Sequence, residues 1–448
     1  MSAFSSAERV DDRPGGMFQR FVHSEVSGSV VLLACTLIAL AWANSPWAES
    51  YFDLAHTKIG ISWGDAVFHL SLQHWVNDGL MVLFFFVVGL EIKRELVVGH
   101  LSTARKAFLP VSAALGGMIV PAAMYLLFNA GGEGARGWGI PMATDIAFAL
   151  GILAVFGSRL PIGLKVFLTA LAIADDIGAV LVIAVFYTEE VRLVALAVAG
   201  VLLLLLLAAN RAHLRRPGVY ILLAIGVWAA VFASGIHATV AGILVAFVVP
   251  VRARIDPTEF MQRSHGVLGQ LAELDEGALT RVSMLEEKQQ LALLDDLYRA
   301  AGDMRPPGIT LEYFLHPIQA FFVLPLFALF NAGVAFNADM LAMPPDPITL
   351  GVVVGLLAGK QIGVMLFAWL AIVSGRASLP EGVGWPMIYG ASCLAGVGFT
   401  MSLFISELAF AGALATDEAK LGILAGSLLA GVWGYLVLRR ALRRVQTP

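Results

Sequence analysis

Apolar stretches of about 20 residues recur along the whole chain and are separated by shorter polar connections. A stretch of that length, folded as one α-helix, crosses the hydrocarbon core of a bilayer, which is roughly 30 Å thick. The pattern therefore predicts an all-α polytopic membrane protein with about twelve transmembrane helices. The predicted spans are 27–44, 72–92, 107–128, 138–156, 162–186, 193–209, 217–232, 236–250, 313–331, 348–373, 385–408 and 421–438.

Polar segments divide the chain into a predicted cytoplasmic N-terminal segment at 1–26, a membrane domain at 27–438 and a basic cytoplasmic tail at 439–448. Within the membrane domain, 251–311 is hydrophilic and carries leucines at helical spacing, which predicts a cytoplasmic loop with one or two amphipathic helices. This loop is either a solvated linker or a regulatory element. The external connection at 45–71 contains β-branched residues around a central glycine at 56–63, which favour a short β-hairpin.

Lysine and arginine are distributed unevenly between these connections. If both termini lie in the cytoplasm and the spans alternate, 24 of the 29 basic residues fall on the cytoplasmic side. Four fall in external loops: Lys58, Arg136, Arg192 and Lys420. This excess agrees with the positive-inside rule and predicts that both termini are cytoplasmic. The remaining basic residue is Lys360, which lies deep within a predicted span.

The composition excludes most soluble classes of protein. Hydrophobic residues make up 58% of the chain and charged residues only 14%, whereas soluble domains carry about 25% charged residues. The two cysteines, Cys35 and Cys393, lie inside apolar segments and form neither a disulfide framework nor a metal-binding spacing. We predict no cofactor and no nucleic-acid partner.

Two adjacent carboxylates, Asp175 and Asp176, lie in the middle of one predicted span. A charge at the centre of a bilayer costs about 2.5–3.5 kcal/mol on insertion scales, and intramembrane carboxylates usually mark ion or proton pathways. Neighbouring residues of a helix point about 100° apart, so one aspartate can line a cavity while the other meets a partner, for which Lys360 is available. The pair predicts a carrier of small cations. The alternative is a purely structural salt bridge.

Two spans contain helix-breaking residues at corresponding depths. In the fourth span Pro141 disfavours a continuous helix, and Thr144 and Asp145 are residues that begin a new one. The eleventh span has glycines at 396 and 398. Paired broken helices are typical of inverted-repeat transporters. We therefore predict two discontinuous helices that cross at mid-membrane, with Asp145 balancing the positive helix ends and Lys360 the negative ones. The alternative is a pair of ordinary kinked spans.

Six stretches together resemble the NhaA-type family of bacterial sodium/proton antiporters. They are 84–96 (FFFVVGLEIKREL), 143–148 (ATDIAF), 171–178 (LAIADDIG), 234–242 (SGIHATVAG), 324–333 (LPLFALFNAG) and 359–363 (GKQIG). The resemblance implies exchange of cytoplasmic Na⁺, and also Li⁺, for external H⁺ by alternating access, electrogenic and activated by rising pH. It further implies the bacterial inner membrane as location, a lipid bilayer as surroundings, and the possibility of a homodimer. The segment 251–311 looks longer than the corresponding loop of the family.

The resemblance also implies roles for individual residues. Asp176 resembles the principal sodium ligand, Asp175 the residue that pairs with Lys360, and Thr144 and Asp145 residues at the helix crossing close to the ion. Positions that the family links to pH response match Glu91, Arg94, Glu95, His237 and Glu312. For Glu91 and Glu95 anchoring of the helix end is the alternative, and for His237 a packed polar residue. We expect Asp78 to line the cavity or meet a neighbouring span, and His316 to be a packing residue.

Two other classes of function compete with an antiporter. An intramembrane aspartyl protease also uses two membrane carboxylates, but it needs them on separate spans, usually with a Gly-x-Gly-Asp motif, which is absent here. A passive cation channel is the second alternative. Two charged carboxylates in a closed crossing bind cations tightly, which favours alternation over free flow.

Overall fold

The computed structural model describes residues 25–63, 66–188, 191–212, 214, 217–273, 288–336, 346–410 and 414–445. Nearly all of this part of the chain is helical. The first helices and the two strands are α1 (Glu25–Ala43), α2 (Ala48–His56), β1 (Lys58–Trp63), β2 (Ala66–Ser71), α3 (Leu72–His74), a π-helical segment (Trp75–Leu80), α4 (Met81–Val97) and α5 (Ala104–Asn129). After a 3-10 helix (Glu133–Met142) come α6 (Ile146–Ala154), a short 3-10 turn (Gly157–Arg159), α7 (Ile162–Phe186), α8 (Leu193–Arg211), α9 (Pro217–Ala233) and α10 (Thr239–Val248).

The second half begins with two helices of the hydrophilic segment, α11 (Pro257–Glu273) and α12 (Lys288–Met304). The remaining elements are α13 (Pro307–Ile318), a π-helical segment (Gln319–Val323), α14 (Leu324–Asn331), α15 (Pro347–Val354), a π-helical segment (Gly355–Gly359), α16 (Lys360–Val373), α17 (Trp385–Ala395), α18 (Phe399–Phe410) and α19 (Leu414–Val445).

Every span predicted from the apolar pattern coincides with helix. Within the described ranges, 7 helices are long and apolar enough to cross a membrane, and 2 bent helix pairs pass the same test when each is taken as one span. One of these pairs is α17 with α18, which bends by 42° at the predicted glycines. The all-α polytopic fold with interrupted helices is therefore confirmed. The ninth span begins earlier than predicted, at Pro307.

The predicted β-hairpin is present between α2 and α3, although its turn is not where the glycine suggested. β1 pairs antiparallel with β2, with Lys58 opposite Ser71 and Gly60 opposite His69. Gly60 therefore lies within the first strand.

The hydrophilic segment predicted at 251–311 folds as a helical pair whose two ends meet. The backbone N–H of Arg254 donates to the carbonyl of Asp303 at 2.9 Å, and that of Gly308 donates to Pro250 at 2.9 Å. The segment thus returns to its starting point where α13 begins. Residues 274–287, most of the predicted segment 1–26 and the last residues of the tail lie outside the described residues.

Close packing of α5 against α16 places Lys360 inside the protein. Gly116 and Gly363 face each other at this crossing, and a Cβ atom on either glycine would collide with the backbone of the other helix. Small residues of this kind let membrane helices approach closely. Lys360, at the start of α16, is completely buried as a result.

Candidate ion-binding site

The two interrupted spans meet at their breaks and hydrogen-bond to each other through the backbone. The N–H of Asp145 donates to the carbonyl of Val397 at 2.6 Å, and the hydroxyl of Ser402 donates to the carbonyl of Ile140 at 2.7 Å. Non-helical backbone at membrane depth is tolerated only where protein or water satisfies its polar groups. Here each break supplies partners to the other.

Asp145 lies at the N-terminal ends of both α6 and α18. Its Oδ1 accepts from the N–H of Phe148 at 3.1 Å, which makes it the N-cap of α6. Its Oδ2 accepts from the N–H of Thr400 at 3.0 Å and from the Thr400 hydroxyl at 2.5 Å. Helix N-termini carry a partial positive charge, so one carboxylate is stabilised by two helices at once.

Asp175 forms a fully buried ion pair with Lys360. The Nζ of Lys360 lies 2.5 Å from Asp175 Oδ2, and neither side chain is exposed to solvent. The hydroxyl of Thr144 lies 2.6 Å from the same oxygen and 2.8 Å from the carbonyl of Ala395, at the C-terminal end of α17. Thr144 therefore contacts that negative helix end, and charge compensation by Lys360 stays a prediction.

Asp176 occupies the other side of α7 and lines a cavity of about 370 Å³. Its Oδ1 is buried and has no hydrogen-bond partner among the described residues. Thr144, Asp145 and Thr400 also line the cavity, while Asp175 does not. The cavity therefore ends on a set of carboxylate and hydroxyl oxygens, and hard cations prefer oxygen ligands. A second cavity, between α11 and α12, contains none of the predicted site residues.

The opposite end of the same cavity is lined by charged and polar side chains, and we call this end of the protein the cavity face. Arg94 is central there, because its guanidinium lies 2.5 Å from Glu312, 3.4 Å from Glu95 and 3.9 Å from Glu91. Glu95 also accepts from the backbone N–H of His100 at 2.8 Å. Four of the five residues expected in pH response thus form one cluster, which links α4 to α13.

His237 lies apart from this cluster. Its Nε2 is 3.6 Å from Asp78 Oδ1, its Nδ1 is 3.1 Å from the Thr239 hydroxyl, and its ring packs edge-on against Phe404. Of the two expectations for Asp78, contact with a neighbouring span is the observed one. His316 lines the cavity with Glu312, and its role as a packing residue stays a prediction.

A family model described as Na+/H+ antiporter 1 matches residues 19–438. The chain belongs to this family. The Na(+)/H(+) antiporter NhaA of Oleidesulfovibrio alaskensis is 45% identical over 95% of this chain and 94% of its own length. NhaA 1 of Saccharophagus degradans is 46% identical over 94% and 91%, and NhaA of Wolinella succinogenes is 44% identical over 93% and 92%.

Membership in the Na+/H+ antiporter 1 family makes the chain a multi-pass membrane transporter with Na⁺ and H⁺ as the exchanged ions. It is not an enzyme, which removes the intramembrane protease as an alternative. The family is one of antiporters, so a passive channel is removed as an alternative as well.

Two features of this antiporter were missed by sequence reasoning. Thr400 donates two hydrogen bonds to Asp145, and its position just after the second break was the available signal. Lys420 was assigned to an external loop, but it lies in α19, is only 6% exposed and contacts Glu407 at 2.7 Å. The acidic partner within the eleventh span was the signal in that case.

Proposed function

We propose that this antiporter exports Na⁺, and also Li⁺, from the cytoplasm in exchange for external protons, and that Asp176 is its principal ion ligand. The observation that carries the proposal is a buried carboxylate that lines the cavity with one oxygen lacking a partner among the described residues. A buried polar atom of this kind calls for an explanation such as an ion or a proton. Asp175, Thr144 and Asp145 complete the proposed site.

Competition for the same oxygens explains exchange. Na⁺ binds the ionised carboxylates, and protons bind those carboxylates when sodium leaves. Because one ion disfavours the other at a shared site, no separate coupling device is needed. If both Asp175 and Asp176 take up protons, more than one proton moves for each sodium, and the exchange is electrogenic.

Alternating access is supported by the asymmetry of the protein around the site. On one side of Asp176 the cavity reaches Glu91 and Glu312. On the other side, Phe404 packs against Phe85 and Phe327, and all three rings are buried. The predicted topology assigns the cavity face to the cytoplasm of a bacterial inner membrane, with both termini on that side.

Activation by rising pH follows from proton competition at Asp175 and Asp176 alone. We propose that the cluster of Glu91, Arg94, Glu95 and Glu312 adjusts the pH at which activation occurs. For Glu91 and Glu95, the two carboxylates of the cluster that lie on α4, anchoring of the helix end is the competing role. For His237 two roles compete: a pH sensor and a packed polar residue.

The experiment that tests the function is a ΔpH assay in everted membrane vesicles. A pH-sensitive dye reports the proton gradient, and Na⁺ or Li⁺ is added at a series of pH values. We expect each cation to dissipate the gradient, with a lower apparent KM at higher pH. Dissipation by K⁺ equal to that by Na⁺, or current without proton movement, would contradict the proposal.

A further inference from the structure

A network of buried and partly buried polar side chains lies at the end of the protein opposite the cavity face. Gln73 and Glu91 belong to the same span and are 18 residues apart, which corresponds to roughly 25 Å along a helix. Glu91 lines the cavity, so Gln73 marks the opposite face. The network consists of Gln73, Asn77, Asn331, Glu407 and Lys420, and we call it the outer latch.

Each contact of the outer latch joins different spans. Glu407 of α18 lies 2.7 Å from Lys420 of α19, with both side chains nearly buried. The amide of Gln73 donates to Glu407 at 3.4 Å and to Asn331 at 3.2 Å. Asn331, at the end of α14, exchanges two hydrogen bonds with Asn77 at 2.8 and 3.1 Å. Glu407 therefore ties α18 to α19 through Lys420 and to the second span through Gln73, which in turn contacts α14.

The same helices carry contacts of the ion site two turns deeper. Thr400 and Glu407 are seven residues apart on α18 and lie on one face of it, about 10 Å from each other. Lys420 and Ser427 have the same spacing on α19, and the hydroxyl of Ser427 accepts from the N–H of Gly398 in the break at 3.3 Å. The α18–α19 pair is thus held by a break contact at one end and an ion pair at the other.

Phe404 lies between these two levels. It belongs to α18, while Phe85 and Phe327, which seal against it, belong to α4 and α14. A path from Asp176 to the opposite face must separate these rings. The same movement must break the bond from Gln73 to Glu407, because Gln73 lies just before the span that carries Phe85 and contacts Asn331, the last residue of the helix that carries Phe327.

We propose that Glu407 and Lys420 are gate residues of the exchange cycle, and that the outer latch stabilises the state in which only the cavity face is open. The inference rests on the proposed alternating access. Lys420 holds Glu407 in contact with Gln73, so loss of the latch shifts the population towards the state open at the opposite face. The apparent affinity for a ligand falls when a smaller fraction of the protein is in the conformation that binds it.

The test uses the full-length antiporter in everted and right-side-out vesicles, with the sodium KM measured at each face. The double variant Glu407→Gln/Lys420→Gln removes both charges of this pair at once. We expect its KM to rise at the cavity face and to fall at the opposite face, so that their ratio changes about threefold to tenfold. Arg299→Gln, which changes an exposed pair with Asp295, serves as the control and should not alter the ratio.

An unchanged ratio in the neutral double variant, with exchange retained, would overturn the inference. If that variant does not insert, Gln73→Leu tests the same point, because it removes the link to Glu407 while leaving the ion pair; an unchanged ratio there is equally decisive. Asp176→Asn in the same vesicles separates the two proposals. Retained exchange in Asp176→Asn contradicts the ion site, whereas an unmoved ratio with Asp176→Asn inactive contradicts only the latch.

Discussion

Asp175 and Asp176 are adjacent in the chain, yet only Asp176 lines the cavity, while Asp175 lies 2.5 Å from the buried ammonium of Lys360. The helix produces this division, since consecutive side chains diverge by about 100°. One carboxylate is therefore accessible to an ion, and its neighbour is held by a counter-charge. Proton uptake by Asp175 would release Lys360, so the two aspartates form one coupled unit.

Removal of the buried charge of Asp145 or of Lys360 should destabilise the antiporter. Asp145→Ala leaves the N-termini of α6 and α18 without their shared carboxylate, and Lys360→Ala leaves Asp175 without its cation. Breaking a buried pair by removing one partner costs about 3–5 kcal/mol. We expect a lower melting temperature of the purified protein in detergent and impaired exchange for both variants. Unchanged melting of both would mean that the described arrangement of the breaks is wrong.

Thr400 offers a finer test of the double capping by Asp145. Thr400→Val keeps the shape of the side chain but removes the hydroxyl that lies 2.5 Å from Asp145. A hydrogen bond to a charged group contributes about 1.5–3 kcal/mol, so the melting temperature should fall. Thr400→Ser retains the hydroxyl and serves as the control. Equal melting temperatures for the valine and serine variants would contradict the contact.

Proton competition predicts the direction of the pH dependence. At low pH the aspartates hold protons and exclude sodium, and at higher pH they are free to bind it. The apparent sodium KM should therefore rise as pH falls, by about tenfold per pH unit while a single proton competes. Initial rates in everted vesicles at a series of sodium concentrations and pH values measure this slope. A sodium KM that is independent of pH would contradict competition at a shared site.

The role of the charged cluster at the cavity face can be tested separately from proton competition at Asp175 and Asp176. Glu91→Gln and Glu95→Gln each remove a carboxylate next to Arg94. If the cluster adjusts activation, the midpoint of the activity–pH curve should shift in these variants, and this is the result we expect. If the two carboxylates only anchor α4, the maximal rate falls and the midpoint stays. An unmoved midpoint in both single variants would assign the pH dependence to Asp175 and Asp176 alone.

Local signals in the sequence were sufficient for the spans, the two breaks and the N-cap at Asp145, because helix length and capping depend on neighbouring residues. The Asp175–Lys360 pair joins positions 185 residues apart, and the family resemblance, not the spacing, assigned it. Thr400 was missed because its role exists only where the two breaks meet. Lys420 was misplaced because charge counting treats a buried lysine near a helix end as part of a loop.

The most direct test of the central claim is exchange by Asp176→Asn in proteoliposomes. The substitution removes the charge that binds sodium and the proton, with almost no change in volume. Asp176 forms no ion pair with the other described residues, so no such contact is lost with it. We predict that the variant inserts and melts normally but that sodium added to the vesicles leaves the proton gradient intact. Sodium-dependent collapse of that gradient at a rate near that of the wild type would contradict the account.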